Sequence, residues 1–502
     1  MKATGLGRFA LGQPVPDREH AVCVSLPKFR DLIGYEEKDP EVQASMRSGY
    51  PRFVQHHRIG QLIRHLDSQE QNDQWQRFLF ANEKSCREAT RRYAISNSKI
   101  VDHGSFASLQ VTGRSEDAES IGAFLQHSGC GISSRQAENH LFEIGESDKR
   151  ETLAHNENPA RLVRKVIAKA HGPEVSENDV LLGSSGANAF YSLFQTACEV
   201  ARAKGKDLWI RLGWLYLDTI EAMNLLTGDE EPVIALEHLD DFGQLDEIFE
   251  KHGERIAGIV TEFPTNPLLH SCNLERVKEL CLKSNALLVI DPTMASPKNA
   301  KVSGLADVVV NSLTKYAGCE GDVMMGSLAF PRSSALGREL FEKTSELLCP
   351  PFLRDLLRMA EQIPSYENFI EQTNQSLIKV VEFLEAHPKI AKVYWAYQSA
   401  SRKSFERQAG SDSPGCVASF EVEGSFESFY DRLEMLKSPS FGTQFSICCP
   451  YVYLAHYKLL KTKDGQNSLA SAKLSPNLLR LSVGTEEPDL IIDTLKDALR
   501  AT

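Results

Sequence analysis

Three short segments carry residue types that could act together chemically. Lys315 follows the apolar run Val308-Val309-Val310, with hydroxyls three and one residues before it at Ser312 and Thr314. A lysine whose pKa is lowered can form an imine with a carbonyl compound, and the two hydroxyls could hold a phosphate beside it. Asp291 directly follows Leu287-Leu288-Val289-Ile290. A carboxylate at the end of a buried strand is costly to desolvate unless it meets a partner. Ser184-Ser185-Gly186-Ala187 stands between a short apolar run and a long helical pattern. Free N–H groups and the helix dipole at such a junction suit an anion. Taken singly, each segment has an ordinary reading: a surface lysine, a capping aspartate and a Gly/Ser turn.

Together they have a more specific one. Pyridoxal phosphate needs a lysine for its aldehyde, an acid for its ring nitrogen and a cradle for its phosphate. The acid keeps the ring protonated, so that the ring can take up electrons from a carbanion at Cα. The order along the chain is cradle, acid, lysine. Each sits at the carboxyl side of a strand candidate, where open α/β sheets bind ligands.

The elements that must position them are regular from about residue 155. Helices are expected over 161–170, 187–204, 219–226 and 274–283. Strands are expected over 180–182, 208–211, 232–236, 256–261, 286–290, 308–310 and 323–330. Short apolar strands alternating with helices imply a mostly parallel sheet covered on both faces. A proline-interrupted helical region, 334–387, leads to an α+β segment. That segment holds strands over 392–394, 416–422, 445–448 and 478–483 and helices over 426–436 and 490–500. Residues 1–60 read as an extended arm. Residues 61–150 are irregular and polar, with helical candidates around 68–93. The expected division is 1–150, 151–345 and 346–502.

Composition bounds the rest. The chain has 502 residues, a net charge of −12, 32 glycines and 22 prolines. Net acidity argues against a dedicated nucleic-acid binder, though not against a local basic pocket. Eleven cysteines are scattered without zinc-ligand spacing. An odd count forbids complete intrachain pairing, so a reducing compartment is expected. The start lacks the apolar core of a signal peptide, and no apolar run reaches the roughly 20 residues of a membrane helix. A soluble, cytoplasmic protein with no membrane or nucleic-acid partner is the expectation.

The segment Ala306-Asp307-Val308-Val309-Val310-Asn311-Ser312-Leu313-Thr314-Lys315-Tyr316, followed by Gly321-Asp322-Val323-Met324-Met325-Gly326, resembles the lysine signature of the pyridoxal-phosphate enzymes of cysteine and methionine metabolism. The nearest likeness is to fungal cystathionine gamma-synthases and their gamma-substituting relatives in secondary metabolism. It runs from about Ala21 to the end of the chain. The stretch 127–138, with Gly129-Cys130-Gly131-Ile132-Ser133-Ser134-Arg135, points to that fungal subgroup. The resemblance implies an aspartate-aminotransferase-like α/β fold (fold type I), with a smaller α+β C-terminal domain. Lys315 would be the Schiff-base residue and Asp291 the ring-nitrogen acid. Ser312, Thr314, Ser185, Gly186 and Ala187 would seat the phosphate. In Thr261-Glu262-Phe263-Pro264-Thr265-Asn266-Pro267, Asn266 would contact the ring oxygen or the substrate. Arg480, in Arg480-Leu481-Ser482-Val483-Gly484, would clamp the substrate α-carboxylate with help from the main chain near Ser440. Tyr50-Pro51-Arg52 resembles a motif that enters the neighbouring subunit's site, where Tyr50 and Arg52 would contact phosphate. A homodimer or homotetramer follows.

Two departures from the pattern stand out. Leu212 falls where a ring-stacking tyrosine is usual, which leaves Trp214 or Tyr216 to stack. Glu320 adds a carboxylate near the lysine that could repel a thiolate or recognise a different second substrate. The activity implied is gamma-replacement on O-acetyl-L-homoserine. The acyl group leaves Cγ and a second, nucleophilic substrate adds there, with a carbon nucleophile such as a β-keto acid enolate preferred. L-Cysteine as nucleophile, a beta- or gamma-lyase, and an inactive structural subunit are the alternatives.

Overall fold

The computed structural model describes residues 3–46, 48–50, 54–70, 75–112, 115–227, 233–239 and 242–502. Its centre is a seven-stranded sheet in the order Val180–Gly183, Gly326–Ala329, Val308–Ser312, Leu287–Asp291, Ile256–Glu262, Leu208–Leu212, Val233–Leu236. Every pairing is parallel except the two made by Gly326–Ala329, which runs antiparallel to both neighbours. The apolar runs are continuous rather than alternating because both faces are covered. Leu288 and Ile290 join one core layer, while Leu287 and Val289 join the other. Helices Gly186–Ala203, Leu217–Thr227, Phe242–His252 and Leu274–Lys283 follow the strands. This topology brings Gly183, Glu262, Asp291 and Ser312 to the carboxyl ends of strands along one rim.

The C-terminal domain is a five-stranded sheet ordered Ile390–Tyr394, Val417–Val422, Leu479–Ser482, Ile447–Pro450, Leu436–Lys437. Alternation is legible in its central strand. Leu479 and Leu481 are fully buried in the core beneath helices Tyr366–Ala386 and Pro488–Leu499. Arg480 and Ser482 therefore face the other way, toward the large domain. The helix expected over 426–436 stops at Arg432, and Leu436–Lys437 pairs as an edge strand instead.

The region 61–150 is more ordered than its sequence suggests. Trp75–Phe80, Ala107–Thr112 and Ser98–Asp102 form an antiparallel sheet. It is flanked by helices His57–Glu70, Glu83–Arg92, Ser115–Ser128 and Ser134–Glu143. The helical candidate around 68–93 is thus broken by a strand. Polar residues conceal the strands, because Arg77, Ser108 and Gln110 are all buried. They satisfy one another and Glu70: Arg77 donates to Asp67, Glu70 and Ser108, and Gln110 to Glu70. The arm packs along its own chain, with main-chain bonds from Leu436 to Gly5, from Val22 to Gly321 and from Leu26 to Lys437. All eleven cysteines are buried and free. Among the described residues, no helix is long and apolar enough to cross a membrane.

Candidate active site

The rim of strand ends borders a cavity of about 450 Å³, a size common for small-molecule sites. At one end Ser185 caps the helix Gly186–Ala203, its Oγ accepting from Asn188 N–H at 3.0 Å. Gly186 and Ala187 line the cavity, and first-turn N–H groups have no intrahelical acceptor. Packing here is tight. A Cβ on Gly186 would lie 2.9 Å from Cβ of Ser312, and one on Gly129 2.4 Å from Oγ of Ser185. The Gly129 loop is tied down over the helix start by Ser184 Oγ donating to its carbonyl at 3.2 Å.

The next strand ends carry two acids. Asp291 Oδ1 accepts from the N–H of Thr293 at 2.8 Å and from its hydroxyl. The N–H of Ser312 donates to that same hydroxyl oxygen at 2.9 Å. Glu262 is the register partner of Asp291 on the adjacent strand. Its two oxygens accept main-chain N–H groups from Tyr216 at 2.5 Å and Asn266 at 2.9 Å. Burial pushes both carboxyls above the ordinary range, and the charge of Asp291 adds to the effect on Glu262. The Thr293 hydroxyl and N–H, and after them Lys315, pull Asp291 back, while the N–H groups of Tyr216 and Asn266, and after them Arg480, pull Glu262 back.

Lys315 is 6% exposed. Its Nζ donates to the hydroxyl of Tyr50 at 3.1 Å and lies 5.4 Å from the ring centroid of Phe441. Tyr50 thus enters the cavity of its own chain, whereas the sequence placed it in a neighbouring subunit's site. Arg52 lies outside the described residues. At the far end, Arg480 donates from Nη1 to Oδ1 of Asn266 at 2.8 Å and from Nη2 to the carbonyl of Ser440 at 3.0 Å. Its guanidinium stands over the rings of Phe441 and Tyr451. Arg480 Nε and Ser440 Oγ are buried without a hydrogen-bond partner. Such groups are costly unless a ligand completes them. Ser440 also holds a φ of +93°, strain of the kind that collects at ligand sites.

Two expected site residues fall elsewhere. Trp214 points into packing with Leu268, Tyr394 and Tyr451, and its Nε1 donates to His456 at 3.1 Å. Tyr216, two residues on, lines the cavity instead. The aromatic ring is therefore kept at a shifted spacing, and Leu212 is an ordinary buried strand residue. Glu320 does not line the cavity. It pairs with Arg358 at 2.5 Å and Arg18 at 3.0 Å, in a charge network with Asp322 and Arg135. A carboxylate beside two guanidiniums is stabilised there rather than offered to a substrate. Thr314 borders the cavity, but its hydroxyl is engaged by the main chain of Met325. Sequence reasoning missed Glu262, Phe441 and Tyr451. Glu262 stood inside a segment read only for Asn266. It also missed the opposite wall of the cavity, formed by His20, Val54, Phe78, Leu79, Leu125 and Ile132.

The donor set fits pyridoxal 5′-phosphate. The glycine-tight helix start suits phosphate, Asp291 the ring nitrogen, Tyr216 the ring face and Lys315 the aldehyde. The unfilled Arg480 and Ser440 atoms suit an amino-acid carboxylate.

Comparison with known proteins agrees. The family described as Cys/Met metabolism PLP-dependent enzyme matches residues 157–500. The L-2-amino-4-chloropent-4-enoate dechlorinase/desaturase of Streptantibioticus cattleyicolor is 32% identical, over 97% of each chain. The cystathionine gamma-synthase of Neurospora crassa is 25% identical over 98% of each. Among solved structures, cystathionine gamma synthase of Xanthomonas oryzae pv. oryzae, in complex with cystathionine, superposes with a TM-score of 0.58. That match has 23% identity and covers 70% of this chain and 90% of the other. The fold is type I, and the chain belongs to the pyridoxal-phosphate-dependent enzymes of cysteine and methionine metabolism.

Proposed function

We propose that the enzyme expels a leaving group from Cγ of an L-amino acid. The observation that carries this reading is the single cavity in which Lys315 and Asp291 face the unfilled donors of Arg480 and Ser440. Arg480 and Ser440 grip the α-carboxylate, charge-assisted and two-pronged. That grip orients the Cα–H bond toward Lys315. In the cofactor-loaded enzyme Lys315 would take the Cα proton and serve as the mobile acid and base over the side chain. Tyr50 holds its Nζ in place. Asp291 would hold a proton on the ring nitrogen, and the bound cofactor would supply the electron sink. The net change is loss of an anion from Cγ and one proton from the substrate.

The similarity to a dechlorinase/desaturase supports elimination over replacement. Glu320, which had suggested an unusual nucleophile, is engaged in its charge network. Gamma-replacement on O-acetyl-L-homoserine, with a carbon nucleophile or L-cysteine, is the second reading. It is favoured by the reach of the cavity to Phe78, Leu125 and Ile132, which leaves room for a second substrate. A homodimer or homotetramer belongs to both readings on the resemblance alone.

Product mass spectrometry separates them. L-2-amino-4-chloropent-4-enoate and O-acetyl-L-homoserine are each offered with and without cysteine and acetoacetate. Release of chloride or acetate, independent of any added nucleophile, supports elimination. A product containing the nucleophile supports replacement. No turnover of either amino acid rejects both.

A further inference from the structure

We propose that Glu262 is a positioning residue that locks the ring-facing and carboxylate-gripping parts of the site to each other. The inference rests on the cofactor lying between Tyr216 and Asp291. Glu262 ends its strand in register with Asp291 and is 4% exposed. One oxygen accepts the N–H of Tyr216, whose side chain lines the cavity. The other accepts the N–H of Asn266, whose side chain in turn receives Nη1 of Arg480 at 2.8 Å. Two groups with separate tasks therefore share one anchor, the ring tyrosine and, through Asn266, the substrate-carboxylate arginine, while the ring-nitrogen acid stands beside it in register. The tyrosine stands in the loop after strand Leu208–Leu212, Asn266 in the loop after Ile256–Glu262, and Arg480 in strand Leu479–Ser482 of the other sheet.

The chemistry of the anchor matters. A carboxyl presents one oxygen to each of two converging N–H groups, and when ionised it is acceptor-only at both. Glutamine has the same shape but offers one oxygen, and its NH₂ opposes the second N–H. Aspartate keeps the charge but is one methylene shorter, so it reaches only one of the two loops. A buried carboxylate that merely completes the fold would change stability without changing how the cofactor or the substrate is held.

The test uses the cofactor-loaded, full-length protein and its Glu262→Gln and Glu262→Asp variants. Three quantities are read: the midpoint of the pH titration of the visible band, the dissociation constant of pyridoxal phosphate, and KM against kcat. Glu262→Gln is expected to shift the midpoint by at least about half a pH unit. It should also raise KM for the amino acid about tenfold, as loss of one charge-assisted bond predicts. Glu262→Asp should fall between it and the unmodified protein, and it carries the test if the Gln variant does not fold. An unchanged midpoint and cofactor affinity, with KM and kcat within about twofold and only a lower melting temperature, would overturn the positioning role. Absence of a visible band in the unmodified protein would overturn the cofactor seat itself, a failure distinct from that of Glu262.

Discussion

The two walls of the active-site cavity differ in kind. The sheet-side wall presents Ser185 and Gly186 at a helix start and Asp291, Ser312 and Lys315 at or just after strand ends, with hydrogen bonds holding Ser185, Asp291, Ser312 and Lys315. The opposite wall comes from residues 20–136 and presents Phe78, Leu79, Leu125 and Ile132, with His20 and His56 at its polar edge. The first wall places charge and protons, and its geometry tolerates little change. The second places shape. It lies before residue 157, where the match to the family begins. The contrast implies that charge and protons are placed mainly by the strand ends, with Tyr50 on Lys315 the one contribution named from the earlier part, and that the apolar residues before 157 shape the space for the substrate side chain.

Substitutions can break or sharpen that contrast. The largest effect is expected on the sheet-side wall, where Lys315→Ala should abolish the visible band and lower turnover at least about a thousandfold. Turnover that survives would remove the lysine from the mechanism. Arg480→Lys should come next. The single ammonium cannot reproduce the two-pronged contact, and kcat/KM should fall about a hundredfold, mostly through KM. Tyr50→Phe should cost about tenfold, one hydrogen bond to a charged group. It also tests which chain Tyr50 serves. Tyr50 and Lys315 meet within one chain, so co-assembled Tyr50→Phe and Lys315→Ala chains should regain no activity. Recovery on mixing would show that the arm serves a neighbour instead.

On the opposite wall, Leu125→Ala should leave kcat for a small substrate within about threefold while improving bulkier side chains, because it only enlarges an apolar surface. The smallest effect is a pH dependence of stability. Burial raises the Glu262 carboxyl from 4.5 to about 8 in the folded chain. Between those values the folded state binds more protons than the unfolded one, so this group's contribution falls as pH rises. The cofactor-free Glu262→Gln variant should therefore gain melting temperature relative to the unmodified protein between about pH 5 and about pH 8. A difference that is flat with pH would mean Glu262 is ionised throughout.

The same contrast explains what was legible in the sequence. Asp291 and Lys315 stood out because unbroken apolar strands led directly to them, and a buried parallel sheet leaves that signature. Arg480 was visible only through family resemblance, since an arginine in a short strand is unremarkable by pattern. Trp214 and Tyr216 could not be told apart, because a loop after a strand gives no periodicity to say which aromatic residue borders the cavity. Glu320 was unreadable because its partners Arg18 and Arg358 are distant in sequence. The N-terminal sheet was hidden by Arg77, Ser108 and Gln110, whose burial depends on one another and on Glu70.

The central claim is that Lys315 holds the cofactor. Another lysine provides the control: Lys437 is also buried, with its pKa lowered by burial to about 8. Its Nζ is occupied by the carbonyls of Tyr430 and Leu433. Borohydride reduction of the cofactor-loaded protein, followed by peptide mass mapping, distinguishes them. One reduced pyridoxyl-phosphate adduct is expected, on the peptide containing Lys315. An adduct on Lys437 or another lysine, or none at all, would contradict it.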